Sequence, residues 1–153
     1  MQAHEFHTAI DAFRTALRSY VRGDHGPVAR CFSTADDVTL ANPLGPPRRG
    51  WADVNAGIVE GVQSFREGGV LRFQSVESSF DEVARYATPN LGYLVQIERH
   101  EGLVVGSADP VVVALRVTLI FRPEDGGWKI VHRHADPITT ARSITTTIQS
   151  PEH

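Results

Sequence analysis

The spacing of apolar residues changes once along this chain, at Gly68-Gly69, and does not change back. Before that point Phe6, Ile10, Phe13, Leu17 and Val21 recur at three- and four-residue steps, as do Trp51, Val54, Ile58, Val62 and Phe65. Such steps bring side chains onto one stripe of a helix. After it, the segments from Leu71-Phe73 onward, 90–100, 111–122 and 127–135 are rich in Val, Ile, Phe, Tyr and Thr, the composition of strands. Helices first and a run of antiparallel strands second predict an α+β domain, with three helices packed on one face of a curved, mostly antiparallel sheet.

Local signals fill in the helical part. Gly23 stands where a helix ends in a left-handed residue, and Asp24 can cap a short second helix with Pro27 in its first turn. Residues 37–41 read as a short strand. Residues 42–50 form a loop in which proline and glycine forbid regular structure. Pro123-Glu124-Asp125-Gly126-Gly127 reads as a tight hairpin joining the last two strands. The domain spans residues 1–136, and the Thr- and Ser-rich stretch 137–153 is expected to be a partly ordered tail.

The totals exclude several function classes. A chain of 153 residues can bury roughly 70% of its unfolded surface without staples. Net charge is −3 and no basic run exceeds Arg48-Arg49, so nucleic acid and anionic membrane are not expected partners. The single Cys31 allows neither an internal disulfide nor a cysteine zinc motif. No signal peptide and no membrane-crossing run is read, so the expected location is cytoplasmic.

The last strand carries the most chemistry. In an extended strand Trp128, Ile130, His132, His134 and Asp136 share one face, running from apolar to ionisable, as the wall of a pocket would. His134 is a candidate general acid or base, with Asp136 or Glu98 orienting it. The His132-x-His134 spacing also suits a metal, but only Glu98 or His100 offers a third ligand, and no metal or other cofactor is expected. The plainer alternative is a hydrogen-bonded histidine tying the last strand to the helices. Arg116 interrupts an apolar strand and needs a partner; Glu98 on the neighbouring strand is the expected one, unless Arg116 holds a ligand oxygen. Asn42, before Pro43, either hydrogen-bonds a ligand carbonyl or initiates a turn. Trp51 and Tyr93, with Phe65, Phe73, Phe121 and Trp128, either line an apolar cavity or form plain core.

Two segments resemble a known family. They are Gly23-Asp24 with 28–32, 38–45 and Gly50, and then Leu115-Arg116-Val117-Thr118 through the hairpin to Trp128-Lys129-Ile130-Val131-His132-Arg133-His134. Together they resemble the NTF2-like superfamily in its SnoaL-like and ketosteroid-isomerase-like branch, over residues 4–136. The resemblance implies a cone whose sheet wraps the helices around an apolar cavity, in a protein that pairs its sheets as a homodimer. Members are isomerases, dehydratases, polyketide cyclases, epoxide hydrolases or non-enzymatic binders.

The ketosteroid isomerase set is absent. Asn42 stands where the base would be, Ala16 at the tyrosine position and Val117 near the donor acid, and an amide takes up no proton at neutral pH. Asn42, Arg116 and Asp136 supply only part of an epoxide-hydrolase set. The sequence therefore predicts a binder of a small, largely apolar organic molecule, with acid–base catalysis of an isomerase, dehydratase or cyclase kind as its chemistry. His134 would move the proton, Arg116 and Asn42 would hold oxygen, and Trp51, Tyr93, Glu98 and His132 would line the site. A non-enzymatic dimeric interaction module is the competing class.

Overall fold

The computed structural model describes residues 2–151, and within them the change of period at Gly68-Gly69 is the boundary between helices and long strands. Helix α1 spans Gln2–Tyr20, α2 spans Gly26–Cys31 and α3 spans Trp51–Val62, continued by a 3₁₀ turn at Gln63–Phe65. The strands are β1 Thr39–Ala41, β2 Arg48–Arg49, β3 Phe73–Ala87, β4 Gly92–Val104, β5 Pro110–Glu124 and β6 Gly127–Asp136. The loop expected over 42–50 thus contains a two-residue strand, β2, paired antiparallel to β1. After β6 the chain carries one further 3₁₀ turn, Ile144–Thr147, with Ile144 and Ile148 exposed. No helix among the described residues is long and apolar enough to cross a membrane.

One sheet holds all six strands in the order β2-β1-β6-β5-β4-β3. Every pairing is antiparallel except β1 with β6, which brings Leu40 beside Arg133. Three one-residue bulges interrupt the ladders, at Gln74 and Val83 of β3 and at Val131 of β6. Each bulge leaves one residue unpaired and bends its strand, which is how a long sheet becomes curved rather than flat.

The helices fill the concave side. Phe6, Ile10, Phe13, Leu17 and Val21 of the first helical stripe are buried, as are Val54, Ile58 and Val62 of α3. All of these except Val21 and Val62 meet Leu94 of β4, Val117, Leu119 and Phe121 of β5, and Ile130 and Trp128 of β6 in one core. Phe6 packs edge-on to Phe121, 5.3 Å between ring centres. Its ring also lies where a Cβ on Gly92 would stand, 2.8 Å from Cε1, so only glycine lets α1 seat against the start of β4. At the other end of α1, Gly23 turns the chain with φ at 97°, a conformation costly for residues with a Cβ.

Candidate functional site

The bulge at Val131 decides which side chains of β6 face inward. Before it Trp128 and Ile130 point into the core; after it the inward residues are Arg133 and Ala135. His132, His134 and Asp136 therefore stand on the outer face of the sheet, not on the face of Trp128 and Ile130. The single-face reading of Trp128–Asp136 is overturned because alternation assumes an unbroken ladder, and the extra residue shifts its phase by one.

Inside the cone lies an apolar cavity of about 210 Å³. Phe13 and Leu17 of α1, Val28 and Phe32 near α2, Leu40 of β1, Ile58 of α3, and Val113 and Leu115 of β5 supply its apolar walls. Its polar lining comes from Tyr20, Asn42, Ser64, Glu98, His100 and Arg133. Leu94, Gln96, Glu98 and His100 alternate along the inward face of β4 and are all buried, so three polar side chains sit where strand neighbours are core.

These groups form a connected network. Arg133 Nη1 and Nη2 donate to the two oxygens of Glu98 at 2.9 and 2.8 Å, a two-pronged pair whose carboxylate is fully buried. Gln96 Nε2 also donates to Glu98, at 3.1 Å, and Gln96 Oε1 accepts from Arg14. The Arg133 guanidinium lies 5.6 Å from the ring centre of Phe13. Burial by itself would raise the Glu98 carboxyl, but the charge and hydrogen bonds of Arg133 hold it below the usual carboxylate range. The same pairing holds Arg133 above its ordinary value against a burial that would lower it. Both stay ionised because each is the other's counter-charge.

His100 is the second ionisable group of the cavity. Burial pushes it down to about 4, against the pull of Glu98, so the ring is neutral at neutral pH. Its Nδ1 shares a hydrogen bond of 2.7 Å with Ser78 Oγ, and Nε2 has no protein partner among the described residues. Tyr20 is pushed up to about 12, chiefly by burial, and its hydroxyl donates to the carbonyl of Ile58 at 2.8 Å. Asn42 Oδ1 accepts from the Leu44 amide at 3.0 Å, which leaves its Nδ2 donor for the cavity. Turn initiation and cavity lining are thus both true of Asn42.

Of the eight residues the sequence picks out, Asn42 and Glu98 line the cavity. The other six do not. His134, with half its side chain exposed, lies 3.2 Å from the Asp136 carboxylate. Arg116 is not a buried cation on Glu98: it stands exposed on the outer face and donates to Asp136 at 3.0 and 2.7 Å. The register sets Leu115, not Arg116, across from Glu98. Asp136 is drawn below the usual carboxylate range, its partial burial outweighed by Arg116 and the Ile138 amide. His132 Nδ1 bonds Thr39 Oγ1 at 2.7 Å and ties β6 to β1. Tyr93 is paired across strands with Tyr86 on the outer face, and Trp51 packs at the edge of the core. The partial epoxide-hydrolase set therefore does not assemble, since Asn42 is inside while Arg116 and Asp136 are outside. No cluster of three metal-ligating side chains occurs among the described residues.

Arg133 and His100 as a ligand contact are what sequence reasoning missed. Arg133 lies between two histidines that draw the eye, and simple alternation sends it outward. The available signal was β4: three polar residues alternating with its outward side chains require an inward cation. A wider groove of about 840 Å³ runs between Arg22, Arg66 and the start of β3. It is open and polar, and Arg22, Arg66 and Arg72 are occupied by the Val76 carbonyl, the Gly23 carbonyl and Glu67 in turn, so it offers no enclosed site.

No protein-family model matches the chain, and no curated protein matches it in sequence. Solved structures match the fold. A provisionally described dehydratase of the NTF2-like family from Streptomyces avermitilis has 18% identity and a TM-score of 0.67, covering 90% of this chain and 96% of that one. A provisionally described association domain of calcium/calmodulin-dependent protein kinase type II from Thiobacillus denitrificans has 22% identity and a TM-score of 0.65, over 84% and 91%. A ketosteroid isomerase-like protein from Erwinia carotovora has 15% identity and a TM-score of 0.61, over 88% and 94%. At such identities the likeness carries the fold, which is NTF2-like, and not the activity.

Proposed function

We propose that this NTF2-like cone binds a small, largely apolar organic molecule in its central cavity, in the manner of the SnoaL-like and isomerase-like branch. One observation carries the reading: an apolar cavity ends in a buried ion pair and a neutral histidine, groups that core packing alone does not call for. If the cavity is catalytic, the chemistry is proton transfer, but its actors are not those the sequence named. His100 Nε2 is the one open imidazole nitrogen in the lining and Ser78 orients its ring, so the proton-moving role given to His134 passes to His100 and the orienting role given to Asp136 to Ser78. Asn42 Nδ2 and the remaining N–H groups of Arg133 take the oxygen-holding role given to Arg116.

The test is occupancy. Leu115, half-buried at the cavity wall, is replaced by Trp, and a library of small aromatic and alicyclic compounds is screened by thermal shift on both proteins. Compounds that raise the melting temperature of the wild type are expected to lose that effect in Leu115→Trp, whose own fold is kept. Shifts that persist unchanged in the filled cavity place binding elsewhere.

The outer face of the sheet favours a homodimer as the working assembly. Tyr86 and Tyr93 are exposed there as one ring pair at 6.2 Å, and Val112 is exposed farther along the same face, opposite Glu101. Sedimentation velocity is expected to show a dimer, and Tyr93→Arg to give a folded monomer through desolvation and like-charge repulsion between the two copies. A monomeric wild type refutes it.

A further inference from the structure

The charge state of the cavity says what kind of ligand it admits. Two charges line it, the carboxylate of Glu98 and the guanidinium of Arg133, and they cancel within 2.9 Å of each other. Both prongs of the guanidinium are spent on Glu98, and Gln96 supplies a further donor to the same carboxylate. What remains for a ligand is a set of neutral dipoles: the Asn42 amide, the His100 ring, the lone pairs of Tyr20 and the residual N–H groups of Arg133. An anion entering would lose its water and meet no uncancelled cation, while Glu98 repels it. A cation would meet Arg133 in the same way. Either would be a buried charge without a counter-charge, whereas a neutral molecule with one hydrogen-bonding oxygen satisfies the dipoles at little cost. At about 210 Å³ the space falls below the roughly 300 Å³ at which drug-sized sites begin, so a single ring with a short substituent is the fitting size.

We propose that the cavity selects compact, electrically neutral molecules bearing a carbonyl or hydroxyl oxygen, and that Glu98 is the residue that sets this selection by cancelling Arg133. The inference rests on the reading of the cavity as a ligand site and narrows it to a chemical class. It also assigns Glu98 a specificity role that holds whether or not any reaction follows. Removing its charge while keeping its shape leaves Arg133 unpaired and aimed at the cavity, which then becomes a carboxylate site.

Three probes of one size and three charges test this: acetophenone, benzoate and benzylamine, titrated calorimetrically at neutral pH into the wild type and Glu98→Gln. In the wild type acetophenone is expected to bind tighter than either ion by on the order of tenfold or more. In Glu98→Gln benzoate is expected to gain on the order of tenfold or more and to overtake acetophenone. Should Glu98→Gln fail to fold, Glu98→Gln with Arg133→Met keeps the amide acceptor for Gln96 and removes both charges; there acetophenone binds and benzoate stays excluded. Benzoate or benzylamine binding the wild type as well as acetophenone overturns the selection rule while leaving the cavity a ligand site. If none of the three binds any of these proteins, the ligand-site reading itself fails and takes this inference with it.

Discussion

Replacing Arg133 with Met is expected to lower the unfolding free energy at neutral pH by about 3–5 kcal/mol, the cost of leaving one partner of a buried pair behind. For a domain of this size that corresponds to a fall in melting temperature of roughly 10 °C or more. The loss comes from Glu98, which is fully buried and forms no other ion pair among the described residues. Without Arg133, burial is left to dominate its titration and lifts the carboxyl above its unfolded value. A raised pKa stabilises below the unfolded value and that stabilisation is lost as pH rises, so the deficit of the variant should shrink on acidification. Adding Glu98→Gln should recover most of the stability, because a neutral side chain of the same shape no longer needs a counter-charge. Denaturant titrations of the two single variants and the double variant measure the coupling directly. A deficit under about 1 kcal/mol for Arg133→Met would mean that water reaches the pair freely.

His100 gives the second large effect. Its folded value of about 4 lies below the unfolded 6.5, so between these values the unfolded chain binds the extra proton. Stability contributed by the neutral ring is therefore full above about 6.5 and is lost as pH falls toward 4, amounting to about 3 kcal/mol across the window. His132, held low by burial and by His134, pushes in the same direction more weakly from the outer face. His100→Gln keeps a hydrogen-bonding partner for Ser78 and should flatten most of the slope of unfolding free energy against pH in that window. Parallel curves for the two proteins would show that the ring is not the group responsible.

The sequence and the structure agree best where a signal is local. Helical stripes such as Phe6–Val21, the stop at Gly23 and the hairpin at Asp125-Gly126 are written in residues a few positions apart, and each stands where the spacing puts it. Features set by partners distant in the chain were not readable. Strand β2 exists only because Arg48 and Arg49 find β1, and β1 pairs with β6 in parallel across some ninety residues. The candidate site suffers most from this. Asn42 stands out by the Pro43 beside it, whereas Glu98 enters only as a partner for Arg116 or His134; its actual partner, Arg133, reaches it from two strands away across the concave face. Parity along Trp128–Asp136 carried the two histidines to the wrong side for the same reason: an unpaired residue at Val131 leaves no mark in composition.

That unpaired residue has an effect beyond the direction of side chains. Deleting Val131 would leave Ile130 and Arg133 both inward, with His132 between them facing out, so no contact group would change sides. What would change is the bend, since a regular strand twists less than a bulged one. The sheet would lie flatter against α1 and the hollow between them would close. The capacity of the cone is thus governed by a length, one residue of strand more than its neighbour, as well as by the side chains that line it.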